Sequence, residues 1–273
     1  MLIILMIVFL LCILLYFILI IPNIFRRKAM QPYLYLDYAH RGLHDSTKRI
    51  PENSMAAFQE ALKKNLAIEL DIHITRDNQV VVFHDDTLER ICNVSGTIEE
   101  SDYQDLAKLH LQNTDEHIPL FSDVLHYING RVPLLIELKL PSRDTRLCNY
   151  TLKLLEDYQG PYLIQSFNSL GVRRFFKHAP QVLRGQLSSA LTKTDPECPY
   201  LARFCVQHLL TNLYCHPDFI SYKFSDTSNL SVWLNQHLFH IPIAVWTLRN
   251  SQTYRQAKTK FDMYIFEGFS KKK

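Results

Sequence analysis

Four short stretches in the first third of the chain carry side chains that can act together: Ala39-His40-Arg41-Gly42, Pro51-Glu52-Asn53-Ser54, Glu69-Leu70-Asp71 and His84-Asp85. Glu69 and Asp71 are two residues apart, so on a strand both carboxylates point to one face while Ile68, Leu70 and Ile72 point to the other. Carboxylates on an otherwise apolar strand are costly to bury unless a cation compensates them. Glu137-Leu138-Lys139 repeats the arrangement after the apolar Pro133-Leu134-Leu135-Ile136. Glu69, Asp71 and Glu137 at strand ends suit a hard divalent ion with oxygen ligands, Ca²⁺ or Mg²⁺. His40 and His84 each close an apolar run, and because imidazole is the side chain suited to proton transfer at neutral pH the pair can serve as acid and base across one phosphate. Arg41 offers a planar fork to phosphate, Gly42 lets backbone approach a ligand, and Lys139 neutralises charge on phosphoryl oxygens. Trp246 ends a late apolar run and reads either as core packing or as an apolar wall for a small polyol. This is the material of a metal-assisted phosphoryl-transfer site.

These side chains need rigid elements to bring them together. Apolar runs of strand length recur at Tyr33–Tyr38, Leu66–Ile74, Val80–His84, Val132–Leu138, Tyr162–Gln165, Val182–Leu187, Phe219–Phe224, Ile243–Thr247 and Met263–Phe266. Helical spacing of apolar residues marks Asn53–Asn65, Asp144–Tyr158, Ser169–His178, Pro199–Leu213, Asn229–His237 and Ser251–Lys260. Strand–helix alternation over about 240 residues predicts an α/β fold with a parallel sheet, a TIM (β/α)₈ barrel. Arg76-Asp77-Asn78 is too short for a parallel crossover, so the third run returns antiparallel to the second and brings His84 back to the mouth. The stretch at about 86–120, with a helical segment at Ser101–His110, reads as a small insertion after the third strand that shapes a pocket.

The chain has 273 residues, 47% hydrophobic and 21% charged, with a net charge of +3 and no basic stripe, so no nucleic-acid partner is expected. Six cysteines without a C-x-x-C pair suggest neither a zinc site nor a disulfide framework. Residues 1–21 lack charge and would span roughly 32 Å as a helix, enough for a bilayer core. No Lys or Arg precedes this run and no A-x-A cleavage site follows it, so an uncleaved transmembrane anchor is expected. The expected division is an anchor over 1–25, a basic juxtamembrane linker over 26–32 and the barrel domain over 33–273. Arg26, Arg27 and Lys28 place that domain on the cytoplasmic side of the cell membrane by the positive-inside rule.

In this order the motifs H-R-G, P-E-N-S, E-L-D, V-F-H-D-D-T-L-E-R, I-P-L at 118–120, I-E-L-K and W-T resemble those of the glycerophosphodiester phosphodiesterase family, in its bacterial, membrane-anchored form. The resemblance covers roughly Tyr35 to Trp246. It implies a TIM barrel that hydrolyses glycerophosphodiesters to glycerol 3-phosphate and an alcohol with one divalent cation. By position, Glu69, Asp71 and Glu137 match the metal ligands, His40 and His84 the acid–base pair, and Arg41 and Lys139 the phosphate-binding cations. Glu52 matches an acidic residue that orients the arginine, and Trp246 the residue that packs on glycerol. The resemblance also implies attack by the glycerol 2-hydroxyl to a cyclic phosphate, then opening by water; the residues themselves do not choose between that route and direct attack by water.

The family's closing D-G-I-I-T-D-x-P is reduced here to Asp262-Met263-Tyr264-Ile265-Phe266-Glu267-Gly268, a departure expected to touch the polyol side but not the histidines. A membrane lysophospholipid or a polyglycerophosphate is the alternative substrate for the same chemistry. A non-catalytic polyol-phosphate sensor is the alternative of a different class. Because the connector from Lys28 to Pro32 enters the strand N-terminal face, the mouth is expected to point away from the membrane, which favours soluble diesters.

Overall fold

The computed structural model describes residues 1–194 and 198–268. Its strands are β1 (Asp37–Ala39), β2 (Ala67–Ile74), β3 (Val80–Val82), β4 (Leu134–Leu138), β5 (Tyr162–Ser166), β6 (Arg184–Ser188), β7 (Phe219–Lys223), β8 (Ile243–Leu248) and β9 (Met263–Phe266). They form one sheet in the order β1-β9-β8-β7-β6-β5-β4-β2-β3, and β1 also pairs with β2, so the sheet closes on itself. The closed ring is parallel throughout, whereas β3 lies antiparallel to β2 with Ile72 opposite Val82 and Ile74 opposite Val80. The tight return at Thr75–Gln79 is closed by Asn78 at φ 63° and by Gln79 N donating to Thr75 Oγ1 at 2.8 Å. This is the expected (β/α)₈ barrel with a hairpin at its second stave.

In chain order the helices are α1 (Leu2–Ile20), α2 (Arg27–Met30), α3 (Met55–Lys63), α4 (Glu89–Cys92), α5 (Tyr103–Leu106), α6 (Phe121–Ile128), α7 (Arg146–Leu155), α8 (Ser169–His178), α9 (Leu191–Thr194), α10 (Tyr200–Gln207), α11 (Asn212–Cys215), α12 (Leu230–His237) and α13 (Ser251–Lys258). Helix α3 starts where Ser54 Oγ accepts from Ala57 N at 3.1 Å, the capping that its sequence start signals. Four differences from the sequence reading stand out. The run at Tyr33–Tyr38 yields strand only from Asp37, because Gln31–Tyr33 is a 3₁₀ turn and Tyr35 sits at φ 60°. Its apolar side chains Tyr33, Leu34 and Leu36 pack beneath the barrel floor instead. The helix expected at Ser101–His110 contracts to α5, and that at Pro199–Leu213 breaks into α10 and α11 at Leu209, whose φ is 55°. Helix α6 was not anticipated, although Phe121, Val124, Leu125 and Ile128 lie at helical spacing and are buried.

The strands are buried on both faces. Outward residues such as Ile68, Leu70, Ile72, Leu134 and Ile136 pack under the helices in the main core. Inward residues Tyr38, Ala67, Leu135, Leu163, Phe219, Ala244 and Met263 form an apolar floor, and fully buried Met30 plugs it from below. Met30 is thus the one buried residue of the 26–32 segment, while Arg27, Lys28, Ala29, Gln31 and Pro32 around it are exposed. Phe83, Leu88, Ile91, Ile98, Leu106, Leu111 and Ile118 give the insertion its own small core on β3.

Helix α1 meets the barrel only through its last turns. Tyr16 Oη lies 2.8 Å from Ser231 Oγ, and Asn212 Nδ2 donates to Ile20 O at 2.9 Å while also reaching Asn235 at 3.3 Å. Beyond it, Asn23 Nδ2 donates to Asp218 at 2.8 Å and Arg26 donates to the carbonyls of Pro180 and Gln181, all on the loops entering β6 and β7. From Tyr16 to Arg26 the chain thus descends beside α12 toward the strand N-terminal face. Read in reverse, α1 rises toward the strand C-terminal rim. The chain turns back at Pro22–Arg26 and lays the end of α1 against α11 and α12, so the helix does not run outward from the strand N-terminal face.

Candidate active site

Alternation along β2 sends Ala67 to the floor and Glu69, Asp71 and His73 up the inside of the barrel. Glu137 joins them from β4. One carboxylate oxygen from each of Glu69, Asp71 and Glu137 lies within 4.8 Å of the others, and all three residues are buried. Lys139 Nζ is 2.5 Å from Glu137 Oε1 and 3.0 Å from Asp71 Oδ1, while Arg41 Nε lies 3.5 Å from Asp71 Oδ2. Asn53 Nδ2 donates to Asp71 at 2.9 Å. Glu69 is the least compensated, accepting from the Arg41 backbone N–H at 3.0 Å. Burial, then repulsion from Asp71 and Glu137, push its carboxyl well above the usual range. Burial also raises Glu137, and Lys139 only partly offsets it. For Asp71, burial acts in the same direction but is overcome by Lys139, His84 and Arg41, so its carboxyl stays ionised far below the usual range. Three buried, oxygen-bearing acids with incomplete compensation are a donor set that fits a hard divalent cation.

His40 and His84 are held alike. His40 Nδ1 is 2.5 Å from Glu267 Oε2, and His84 Nδ1 is 2.5 Å from Asp85 Oδ1. A carboxylate on Nδ1 fixes the ring and leaves Nε2 for chemistry. Both histidines line a polar pocket of about 480 Å³ with Arg41, Glu69, Glu137, Lys139, Gln165 and Trp246. Burial lowers the His40 pKa, and Glu267 pulls against that only in part. Burial would raise Glu267 in turn, but the bonds from His40 and from Arg249 Nε, 2.6 Å away, hold it well below the usual carboxylate range.

Each letter of P-E-N-S has its own place. Glu52 takes Arg41 Nη1 at 2.6 Å, Asn53 holds Asp71, and Ser54 caps α3. Burial opposes the Arg41 charge, yet Asp71, Glu52 and Glu69 outweigh it and raise its pKa. Gly42 does something other than the ligand approach expected of it. At φ 78° it brings the chain against α3, where a Cβ would lie 2.8 Å from Ala57 Cβ. Trp246 is half-buried, and its ring meets Phe167 edge to face at 5.8 Å between centroids. It faces the pocket with its Nε1 buried and unbonded among the described residues, so it is a pocket wall more than core.

Every residue singled out from the sequence lies in this network, and four others belong to it. Glu267 was assigned to the polyol side alone, and the structure corrects that by joining it to His40 across 227 positions of sequence. Arg90 clamps Glu52 at 2.8 and 3.0 Å and Asp85 at 2.6 and 2.9 Å, tying the Arg41 orienter to the His84 orienter. Asn53 stood inside a recognised motif without a role. His73, continuing the i, i+2 series from Glu69, lies with Nε2 3.2 Å from the His84 carbonyl. Burial depresses its pKa to about 4, so it is a neutral donor to that carbonyl near pH 7 and fixes the His84 backbone.

Residues 40–266 match the model of the glycerophosphoryl diester phosphodiesterase family. The Bacillus subtilis protein YhdW is 34% identical over 153 residues, 53% of this chain and 62% of that protein. A glycerophosphodiester phosphodiesterase of Caldanaerobacter subterraneus is 30% identical over 161 residues, 55% of this chain and 65% of its own length. The matched stretch thus spans less than two thirds of both relatives. Among solved structures, a phosphodiesterase of Oleispira antarctica, determined in complex with the product sn-glycerol-3-phosphate, superposes with a TM-score of 0.67 at 22% identity. That superposition covers 86% of this chain and 93% of that one, a likeness of fold.

Proposed function

Because the chain belongs to the glycerophosphoryl diester phosphodiesterase family, we propose that it hydrolyses glycerophosphodiesters to glycerol 3-phosphate and an alcohol. The observation that carries this reading is two histidine–carboxylate pairs flanking a buried triad of acids and two cations in one pocket. Glu69, Asp71 and Glu137 would hold one divalent cation, Ca²⁺ or Mg²⁺, which would supply positive charge to a phosphoryl group in the pocket. Arg41, oriented by Glu52, and Lys139 bind the phosphate, and Trp246 walls the glycerol. His40, kept neutral by burial, accepts the proton of the attacking hydroxyl, whether the substrate's own 2-hydroxyl or water. His84 donates a proton to the departing alcohol oxygen, and the two exchange roles if a cyclic phosphate must be opened. The catalytic unit is residues 33–273, with Met30 of the basic 26–32 linker seated against its floor. The apolar helix anchors it in the membrane, and Arg27 and Lys28 place it on the cytoplasmic side.

The test is glycerol 3-phosphate release from glycerophosphoethanolamine by the full-length protein in mild detergent. Assays with Ca²⁺, with Mg²⁺ and with chelator are expected to give release with at least one ion and none with chelator. Undiminished release in chelator removes the metal from the proposal. No release under any condition removes the activity.

The Glu267 contact makes a separate prediction. The groups facing His40 are Glu267, with Arg249 and His44 behind it, and Arg41 and Asp71 from the barrel. Replacing Glu267 by Gln removes the negative charge that supports the imidazolium, so the His40 pKa falls further. The acid limb of the kcat/KM profile then moves to lower pH, and kcat drops by roughly 10–100-fold because the base is weaker and less well held. Glu267→Asp restores part of the rate. A profile whose acid limb stays in place for Glu267→Gln would show that His40 is not the titrating base.

A further inference from the structure

We propose that the unit retained on the phosphate is an acid, so that the preferred substrates are phosphodiesters of a hydroxy acid of glycerate size whose carboxylate is read by Lys223 and Trp246. This rests on the reading of the polar pocket as a phosphodiester site and names what occupies its β7–β8 side. Lys223 ends β7, and Trp246 on β8 is its partner in register, so both side chains leave the same face of the sheet. Both line the polar pocket, on strands across the ring from the acids of β2.

The other cations of this pocket are already engaged. Arg41 is held by Glu52 and Asp71, Lys139 by Asp71 and Glu137, and Arg249 by Glu267. Lys223 is half-buried and has neither an ion pair nor a side-chain hydrogen bond among the described residues. Two buried atoms in the same pocket are likewise unpaired among the described residues. One is the donor Trp246 Nε1, and the other is the acceptor Gln165 Oε1, on a side chain only 1% exposed that stands beside Glu137 in register. Buried polar atoms are as a rule paired, so unpaired ones lining a pocket mark what its ligand must supply.

Gln165 Oε1 calls for a hydroxyl donor, Trp246 Nε1 for an acceptor, and the Lys223 ammonium for an acceptor that carries charge. A retained glycerol has two hydroxyls, enough for Gln165 and Trp246, and leaves the ammonium partly desolvated against a neutral group. A glycerate has one hydroxyl and, in place of the terminal hydroxymethyl, a carboxylate. Its two oxygens take one bond from the indole N–H and a charge-assisted one from Lys223. A terminal phosphate would bring three oxygens and a second negative charge to two donors and one cation.

The bonds made and broken are those of the reaction already proposed. The oxygen of water bonds to phosphorus while His40 takes its proton, and the alcohol leaves with the proton of His84. The retained unit departs as phosphoglycerate in place of glycerol phosphate.

The experiment uses the full-length protein in mild detergent with Ca²⁺ or Mg²⁺. Racemic glycerol 3-phosphate and racemic 3-phosphoglycerate, which differ only in the terminal group, are compared as inhibitors of glycerophosphoethanolamine hydrolysis and as stabilisers in a thermal melt. 3-Phosphoglycerate is expected to bind at least ~10-fold more tightly, the scale of one charge-assisted hydrogen bond. At equal excess it should raise the melting temperature by roughly 3–5 °C more. Equal or weaker binding of 3-phosphoglycerate overturns the proposal. In Lys223→Met, which keeps the apolar stem, the ratio of the two inhibition constants is expected to fall to about one, and Lys223→Arg to restore it in part. A preference that survives Lys223→Met comes from the metal or the phosphate-binding cations and overturns the role given to Lys223. Should Lys223→Met fail to fold, Lys223→Gln gives the same comparison. The ethanolamine diester of 3-phosphoglycerate is expected to be hydrolysed with kcat/KM at least ~10-fold above glycerophosphoethanolamine. Turnover of glycerophosphoethanolamine without turnover of that diester overturns the substrate class. Failure of both diesters marks failure of the phosphodiesterase reading, and the melts then decide by themselves whether the pocket prefers the acid.

Discussion

His40→Ala is expected to lower kcat for glycerophosphoethanolamine by about 10²–10⁴-fold, the range general acid–base groups supply, while KM changes by less than about threefold. The imidazole lies in the pocket and is held by Glu267, whereas the phosphate-binding groups Arg41 and Lys139 are anchored independently by Glu52, Asp71 and Glu137. Removing the ring should therefore spare substrate binding and remove proton transfer. His84→Ala is expected to fall in the same range, and the double variant to lose little more than the worse single one, because the two act as a unit. The readout is steady-state kinetics beside a thermal melt. A His40→Ala enzyme within about tenfold of wild type, and melting normally, would exclude this imidazole from the chemistry.

The second large effect joins metal binding to stability. In chelator, Glu69→Gln is expected to melt at a higher temperature than wild type. The amide keeps an acceptor for the Arg41 N–H and relieves the repulsion with Asp71 and Glu137 that burial aggravates. Each tenfold relief of proton affinity corresponds to about 1.4 kcal/mol, or roughly 3–5 °C for a barrel of this size. With Ca²⁺ or Mg²⁺ in about 100-fold excess over its dissociation constant, wild type should gain about 2.7 kcal/mol, roughly 5–10 °C. Glu69→Gln should gain little and should lose most of its activity. The stabilised apo variant and the lost metal response come from the same charge, which makes the pair of melts diagnostic. If the ion raises the melting temperature of Glu69→Gln as much as that of wild type, the three carboxylates are not its ligands.

Much of this was legible in the chain because it is local. The i, i+2 spacing at Glu69 and Asp71 needs only a strand to put both acids on one face, and hydrophobic periodicity announces the strand. Asn78 marks the hairpin by a turn chemistry that any short link between two apolar runs demands. The apolar α1 is recognisable from composition alone. Ser54 capped α3 as its motif predicts.

Other features depend on which parts of the chain meet. Tyr33–Tyr38 alternates well enough for a strand, yet Met30 beside it fits the barrel floor, and the apolar side chains gain more by sealing that floor than by extending β1. Glu267 carries no local sign that it serves His40, because only closure of β9 onto β1 sets Phe266 beside Ala39 and brings the next residue to the imidazole. Arg90 and His73 likewise act through residues that the barrel places next to them. The course of α1 was not legible for the same reason: the connector is short and basic in any arrangement, and only Asn212, Ser231 and Asp218, late in the chain, decide that the helix folds back along α12.

The sequence by itself determined the family, the barrel, the acids, the histidines and the cations of the site, since residue type and short spacing encode all of them. Only the tertiary structure decided which carboxylate holds His40, that Met30 seats against the floor, and that the end of α1 lies beside α11 and α12. Those are properties of contacts between residues up to 227 positions apart. The energy of such contacts lies in shared burial, and no window along the chain contains both partners.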